Sequence, residues 1–327
     1  GQTHRAAEEA ADLAQLFVAN DFRGAFYEVG NENDGSWNPM LTIEEYADAF
    51  VSLIRTVRAV DPSAKSMGPV ASGYNVQWIT GFLDALQTRG ELELLDYLTY
   101  HHYGGWIAND NQNTINLRDP QQFGEEIDSI RTILAAHGAT RVKIAITEMN
   151  AAIWAEGCNR DKFTINQGLW LADALGTCFL KADVANVWIH LHPGTDPHSL
   201  IDDQASPPVP TRNYWPVYLA AQTLSGTDPS LPISVLKTTS DVSTALLTWY
   251  SVRKSDGSLG ILIVNKEDKD KETVVNLSFS PSSAGGQFIS RSEYEAKSGP
   301  KRLTVRIEGS KLYLTLRGSS ITGLDIK

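Results

Sequence analysis

The chain has 327 residues, 42% hydrophobic and 20% charged, with 28 Lys plus Arg against 39 Asp plus Glu and a formal charge of −11. That balance describes a folded globular protein and excludes extensive disorder. No apolar run approaches the ~18 residues of a membrane span, and the negative charge makes a phosphate backbone a poor partner.

At ~100–200 residues per domain, the length suits one large domain or two smaller ones. Cys158 and Cys178 lack CxxC spacing, so neither a zinc site nor a disulfide framework is read. They are expected as buried thiols, with a bridge between them left open. Gly1, without an initiator Met or a signal peptide ahead of it, reads as a processed start or one with sequence upstream.

Arg5–Leu16, rich in Ala, Glu and Leu, predicts a helix. Gly24–Val29 is a short apolar strand that ends in a polar cluster. Thr42-Ile43-Glu44-Glu45 is a capping box, and Ile43, Tyr46, Phe50, Ile54 and Val57 continue at helical spacing until Asp61-Pro62. Lys65–Val70 predicts a strand, Val76–Thr88 a helix and Leu94–Tyr100 a strand. Pro120–His137 predicts a helix ending at Gly138. Val142–Thr147 follows as a strand, Thr164–Lys181 as a helix, Ala185–His190 as a strand and Trp215–Leu224 as a helix. Such alternation argues for βα units around a parallel sheet.

Near residue 225 the pattern changes and helix signals stop. Val275, Leu277 and Phe279 alternate, as do Leu303, Val305 and Ile307, then Leu312, Leu314 and Leu316. Period two with one apolar face predicts antiparallel strands packed as a sandwich. Ser255-Asp256-Gly257 and Gly309-Ser310 supply turn chemistry between strands. The charged run Lys266–Glu272 is expected to be a solvated hairpin loop. The expected organisation is therefore an α/β region over 1–225 and a β-sandwich over 226–327.

Polar residues collect where the parallel strands end, the side on which βα-barrel enzymes place their active sites. The first strand runs into Gly30-Asn31-Glu32-Asn33-Asp34. The others run into His101-His102-Tyr103-Gly104, into Glu148-Met149-Asn150, and through Trp188 to His190 and His192. Two carboxylates on one rim, three strands apart, would face each other across a curved sheet. His190-x-His192 puts two imidazoles on one strand face, but without a carboxylate-rich set around them no metal site is expected. Glu28 could face the interior or the helices. Trp37, Trp106 and Trp154 lie on rim loops, where an aromatic ring either binds sugar or anchors the loop. Asn276-Leu277-Ser278 is a glycosylation sequon lying in a strand.

The ordered strand ends carry a resemblance. Tyr27-Glu28-Val29-Gly30-Asn31-Glu32 resembles the strand-four Asn-Glu signature of clan A retaining glycoside hydrolases. Ile144-Ala145-Ile146-Thr147-Glu148 is similar to their strand-seven nucleophile segment. Tyr100-His101-His102-Tyr103-Gly104 resembles the strand-six His/Tyr pair, and Trp188 the strand-eight aromatic platform. The chain looks nearest to the β-xylosidase and α-L-arabinofuranosidase branches, which join a barrel to a C-terminal β-sandwich. The resemblance implies a partial (β/α)8 TIM-type barrel of about five βα units, strands four to eight, followed by the sandwich.

It also implies chemistry. Glu32 would be the acid/base, its carboxyl kept protonated by burial or by the second carboxylate, and Glu148 the nucleophile. Tyr103, with one of His101 or His102 beside it, would donate to Glu148. Asn31 would hold the sugar 2-hydroxyl and Trp188 would stack on a sugar face, a buried core tryptophan being its plainer reading. No cofactor is implied. A catalytically silent carbohydrate-binding protein is the alternative, and no residue pattern fixes a compartment, although a secreted or periplasmic one is compatible.

Strands one to three of the implied barrel have no counterpart, a shortfall of roughly 90 residues at ~250 per barrel. Parallel strands are apolar on both faces, so an open barrel side would expose apolar side chains. A second copy covering that side, as a homodimer or larger oligomer, is expected.

Overall fold

The computed structural model describes residues 2–38, 41–104, 115–152, 164–191, 197–226, 232–241 and 245–327. The expectations on Trp106, Trp154, Cys158 and His192 fall outside the described residues. The chain forms two compact units. One comprises Gly1–His102, Glu125–Met149 and Ala182–Asn186, and the other Tyr103–Gly124, Asn150–Lys181 and Val187–Lys327.

The alternating pattern produces the expected half-barrel. Helix α1 (Gln2–Ala19) precedes strand β1 (Phe26–Glu28). Helix α2 (Ile43–Val60) leads to β2 (Lys65–Ala71), and α3 (Val76–Thr88) to β3 (Tyr97–Gly104). Helix α4 (Asp119–Ala136) precedes β4 (Lys143–Ala151), and α5 (Ile165–Lys181) precedes β5 (Val184–Val187). The five strands lie in sequence order in one sheet, with β1–β2 and β2–β3 paired in parallel.

Local signals explain these elements. The Thr42 hydroxyl accepts the Glu45 N–H at 3.2 Å while the Glu45 carboxylate accepts the Thr42 N–H at 2.8 Å, closing the capping box of α2. The helix buries Tyr46, Phe50, Ile54 and Val57, the stripe that the spacing requires. Phe82 of α3 meets the rings of Tyr46 and Phe50 edge-on at 5.3 and 5.2 Å. Tyr46 also donates its hydroxyl to the Val29 carbonyl at 2.6 Å, tying α2 to the chain leaving β1. Burial, with the Glu28 charge adding to it, holds that phenol well above its usual range.

The other face of this sheet carries a small cluster of Met67, Tyr97, Ala145 and Val184. Phe26 meets Tyr97 edge-on at 5.4 Å but stays 56% exposed, because β1 is an edge strand with no neighbour beyond it among the described residues. Phe22 is 58% exposed just before it.

In the other unit a two-stranded ribbon, β6 (Ile201–Asp202) with β7 (Val209–Pro210), precedes helix α6 (Tyr214–Leu224). The remaining strands are β8 (Ser234–Val235), β9 (Leu247–Arg253), β10 (Leu259–Asn265), β11 (Lys271–Asn276) and β12 (Ala284–Ser290). A short helix α7 (Arg291–Glu295) separates these from β13 (Lys301–Leu303), β14 (Arg306–Glu308), β15 (Lys311–Leu316) and β16 (Ser320–Ile326). They form a six-stranded sheet β13-β12-β16-β10-β9-β8 and a three-stranded sheet β11-β15-β14, with every described pairing antiparallel.

The larger sheet is covered on both faces. Leu259, Ile261, Ile263, Leu324 and Ile326 meet Leu312, Leu314 and Leu316 of the smaller sheet. Tyr250, Val252, Leu262, Val264 and Ile321 meet Ile165, Leu169 and Ala172 of α5 and Leu219, Ala220 and Leu224 of α6. Glycines permit this second contact. A Cβ at Gly176 would strike the Tyr250 ring, one at Gly260 the Thr223 carbonyl, and one at Gly323 the Thr223 hydroxyl.

Three expectations need correcting here. Leu303, Val305 and Ile307 do not share a strand: β13 and β14 belong to different sheets, and Ile307 is exposed. Helix signals do not stop at 225, since Ser290 and Glu293 form a capping box for α7. Nor is the run from Lys266 a solvated loop throughout. Lys266 is buried and paired with Asp173, while Lys271 and Glu272 open β11.

Candidate active site

The loop that follows β1 is built to hold one carboxylate in place. Gly30 has φ +87°, and a Cβ there would collide with the Asn33 amide. Glu32 itself has φ +48°, the left-handed region that a side chain seldom adopts. Its N–H donates to the Val70 carbonyl at 2.9 Å and its carbonyl accepts the Gly35 N–H at 2.9 Å. Two residues on, the Asp34 carboxylate accepts the Ser72 N–H at 2.8 Å and the Asn75 amide at 2.9 Å, binding the loop to the chain between β2 and α3. The unfavourable conformation of Glu32 is thus fixed from both sides.

Glu32, His101 and Glu148 converge. Glu32 lies in the loop after β1, while His101 and Glu148 lie within β3 and β4, which run past the expected ends at Tyr100 and Thr147. The Glu32 Oε1 lies 2.7 Å from His101 Nδ1, and Glu148 Oε2 lies 3.6 Å from the same nitrogen. One carboxylate oxygen of each glutamate and a ring nitrogen of His101 all lie within 4.8 Å of one another. The imidazole is 1% exposed, Glu32 16% and Glu148 28%, so buried nitrogen stands behind two carboxylates that reach solvent. The second Glu32 oxygen, Oε2, accepts the Trp37 indole N–H at 2.5 Å.

Strand period decides which histidine takes part. His101 shares a face with Tyr97 of the inner cluster, and His102 points the other way, with Nδ1 3.6 Å from Glu126 on α4. Asn31 is exposed, and its carbonyl accepts the Asn38 amide at 2.9 Å. Glu28 is exposed on β1, on the side opposite buried Tyr27. His190 is exposed.

Tyr103 and Trp188 belong to the other unit and meet edge-on at 6.1 Å. Trp188 is only partly buried, and a second ring beside it is His198, with ring centroids 5.4 Å apart. His198 Nε2 lies 3.2 Å from the Ala151 carbonyl, and the buried Asn150 amide donates to the Trp188 carbonyl. His198 carries no motif that would reveal it. Asn150 stands two residues beyond Glu148 on the same strand, which is the signal that could have found it.

Glu32, His101 and Glu148 form a group whose ligand atoms could also hold a divalent cation. Chemically, the same three side chains can give and take a proton on one carboxylate while the second remains a nucleophile or a charge stabiliser.

Solved structures share this fold, and those named here are glycoside hydrolases. The GH30 xylanase C catalytic domain from Talaromyces cellulolyticus matches with a TM-score of 0.68 at 15% identity, over 99% of this chain and 67% of that one. A Paenibacillus polymyxa family 44 xyloglucanase matches with a TM-score of 0.71 at 16% identity, over 97% and 70%. The GH51 arabinofuranosidase from Xanthomonas axonopodis pv. citri matches with a TM-score of 0.67 at 16% identity, over 98% and 73%. No family model and no curated protein sequence matches the chain.

Proposed function

We propose that the chain is a retaining glycoside hydrolase of clan A type acting on a plant or microbial polysaccharide or oligosaccharide, with Glu32 as acid/base and Glu148 as nucleophile. The observation that carries this reading is the approach of the two carboxylates, whose nearest described oxygens lie within 4.8 Å. Retaining enzymes set their carboxyl groups ~5–5.5 Å apart, whereas inverting ones leave ~6.5–9.5 Å for a water molecule.

In the first step Glu32 delivers its proton to the glycosidic oxygen, the C1–O bond breaks, and Glu148 forms an ester with C1. In the second, Glu32 takes a proton from water, which attacks C1 and releases Glu148. His101, 2.7 Å from Glu32 and 3.6 Å from Glu148, orients the pair. The resemblance assigns Asn31 to the 2-hydroxyl, Tyr103 to the nucleophile and Trp188 to a sugar face. With that reading go 1–225 as a partial-barrel catalytic domain and 226–327 as a β-sandwich domain.

The fold neighbours that act on xylan, xyloglucan and arabinofuranosides support a carbohydrate substrate. The same reading assigns the open β1 edge, where Phe22 and Phe26 are exposed, to a second copy. Sedimentation velocity at micromolar concentration tests that assignment, and a stable monomer removes it.

Azide rescue tests the roles. Glu32→Ala should keep activity on glycosides with good leaving groups and, with azide, yield the glycosyl azide of retained configuration. An inverted azide product from this variant would exchange the two roles. Sugar affinity without turnover on any aryl glycoside would leave a silent binding protein instead.

A further inference from the structure

Trp37 is the most exposed large apolar side chain described, at 66%, yet its ring is held. One edge is fixed by the N–H bond to Glu32 Oε2 at 2.5 Å. The indole also lies so close to Gly35 that a Cβ there would overlap its Cε2 and Cζ2 atoms. An exposed aromatic ring is unremarked when it is mobile. A ring clamped at one edge and flattened on backbone presents a surface already paid for in conformational entropy.

Its position relative to the carboxylates gives that surface a use. Glu32 turns Oε1 toward His101 Nδ1, the nitrogen that Glu148 also approaches, and Oε2 toward Trp37. Trp37 and His101, the ring that Glu148 also approaches, therefore hold opposite oxygens of the acid. In the retaining reading, on which this inference rests, the sugar under attack sits over Glu148 and its leaving oxygen sits at Glu32. What continues past Glu32, away from Glu148, is the leaving group.

We propose that Trp37 is the platform for the leaving-group sugar, and that the substrate is a di- or oligosaccharide whose leaving unit is a pyranose with equatorial hydroxyls. Such a ring, of gluco or xylo configuration, presents axial C–H bonds to a flat aromatic face, and its outward hydroxyls remain in water. As the Glu32 proton passes to the glycosidic oxygen and the C1–O bond breaks, the ring over Trp37 departs as a neutral alcohol while C1 bonds to Glu148.

The test compares two substrates that share a glycone. One is a xylo- or cello-oligosaccharide, and the other is the corresponding glycosyl fluoride, whose leaving group is a single atom and needs no platform. Trp37→Ala should raise KM for the oligosaccharide about 10-fold more than KM for the fluoride. Trp37→Phe, which keeps a ring and loses the N–H, should hold oligosaccharide KM within about 3-fold of wild type while kcat falls. Circular dichroism confirms that both variants fold.

A Trp37→Ala variant that lowers kcat on the oligosaccharide without raising its KM, and spares the fluoride as Glu32→Ala does, would mean that the indole only positions Glu32, and would overturn the platform. A wild type active on oligosaccharides beside an unchanged KM in Trp37→Ala would overturn the inference alone. A wild type that cleaves neither substrate overturns the glycosidase reading and the inference with it.

Discussion

Two ionic clusters in this molecule are assembled from similar groups to opposite ends. In one, Lys266 Nζ lies 2.7 Å from Asp173 Oδ2 and donates to the Leu117 carbonyl at 2.8 Å. Asp173 Oδ1 takes the hydroxyls of Tyr250, at 2.7 Å, and Thr248. Both charged side chains are 0% exposed. In the other, two carboxylates share the flank of one imidazole and both reach solvent. The first cluster balances charge and surrounds it with fixed partners, so it holds helix to sheet. The second gathers two carboxyl groups around a single ring and keeps both open to solvent. A cluster closed to solvent serves the fold, and one whose carboxyl groups reach solvent can meet a ligand.

Substitution should separate them sharply. Glu148→Ala should cut turnover by about 10⁴-fold or more. Its urea midpoint should equal or exceed that of wild type, since removing one of two neighbouring carboxylates relieves repulsion. Glu32→Ala should lose about 10²–10⁴-fold on natural substrates and far less where the leaving group needs no acid. A Glu148→Ala variant with undiminished turnover would break the comparison at its active end.

Asp173→Ala should do the reverse, destabilising the fold by about 3–5 kcal/mol because Lys266 is left charged and buried. Asp173→Leu combined with Lys266→Met should cost less than Asp173→Ala alone, and equilibrium urea unfolding reads both. If the single variant loses under about 1 kcal/mol, Lys266 reaches water and the pair is not closed.

Glu293 offers a pH test of a partnered carboxylate. Burial pushes its acidity down in strength, but the bonds from Lys301 (2.7 Å), Ser290 and Ser292 outweigh that and hold its pKa at about 2 against 4.5. The folded value is depressed, so this contribution, on the order of 3 kcal/mol at most, is complete above about pH 5 and disappears as pH falls toward 2. Glu293→Gln should flatten that part of the stability–pH curve. Smaller still is Thr42→Ala, which should cost about 1 kcal/mol through loss of the α2 cap. Dialysis against a chelator should leave turnover unchanged if the carboxylates act by proton transfer and nucleophilic attack. A chelator-sensitive enzyme regained by a divalent cation would reassign Glu32, His101 and Glu148 as its ligands.

Local and periodic information was legible in the sequence, and information spanning long separations was not. The capping box at Thr42 and Glu45, the breaker at Asp61-Pro62 and the run Val76–Thr88 act over a few residues, and each element forms as they require. Glu32 and Glu148 stood out because apolar strands ended on them. Lys266 looked solvated because charged neighbours follow it, while its buried partner lies 93 residues earlier. His101 and His102 are indistinguishable until the register of β3 is known. Leu303, Val305 and Ile307 keep period two across a point where the chain changes sheets, so alternation alone hid the break. His198 and the seat of Trp37 on Gly35 depend on loop paths that no periodicity encodes.

The glycines at the helix–sheet contact constrain inheritance. Gly176 yields to Tyr250, and Gly260 and Gly323 yield to Thr223, so each face is cut to the other's relief. A lineage could not graft this sheet onto different helices, or replace α6 while keeping the sheet, without altering both sides at once. Drift at Thr223 is limited by two strands, and drift at those glycines by one helix. Whatever changes the rim loops undergo as substrates change, this joint should evolve as a single indivisible character.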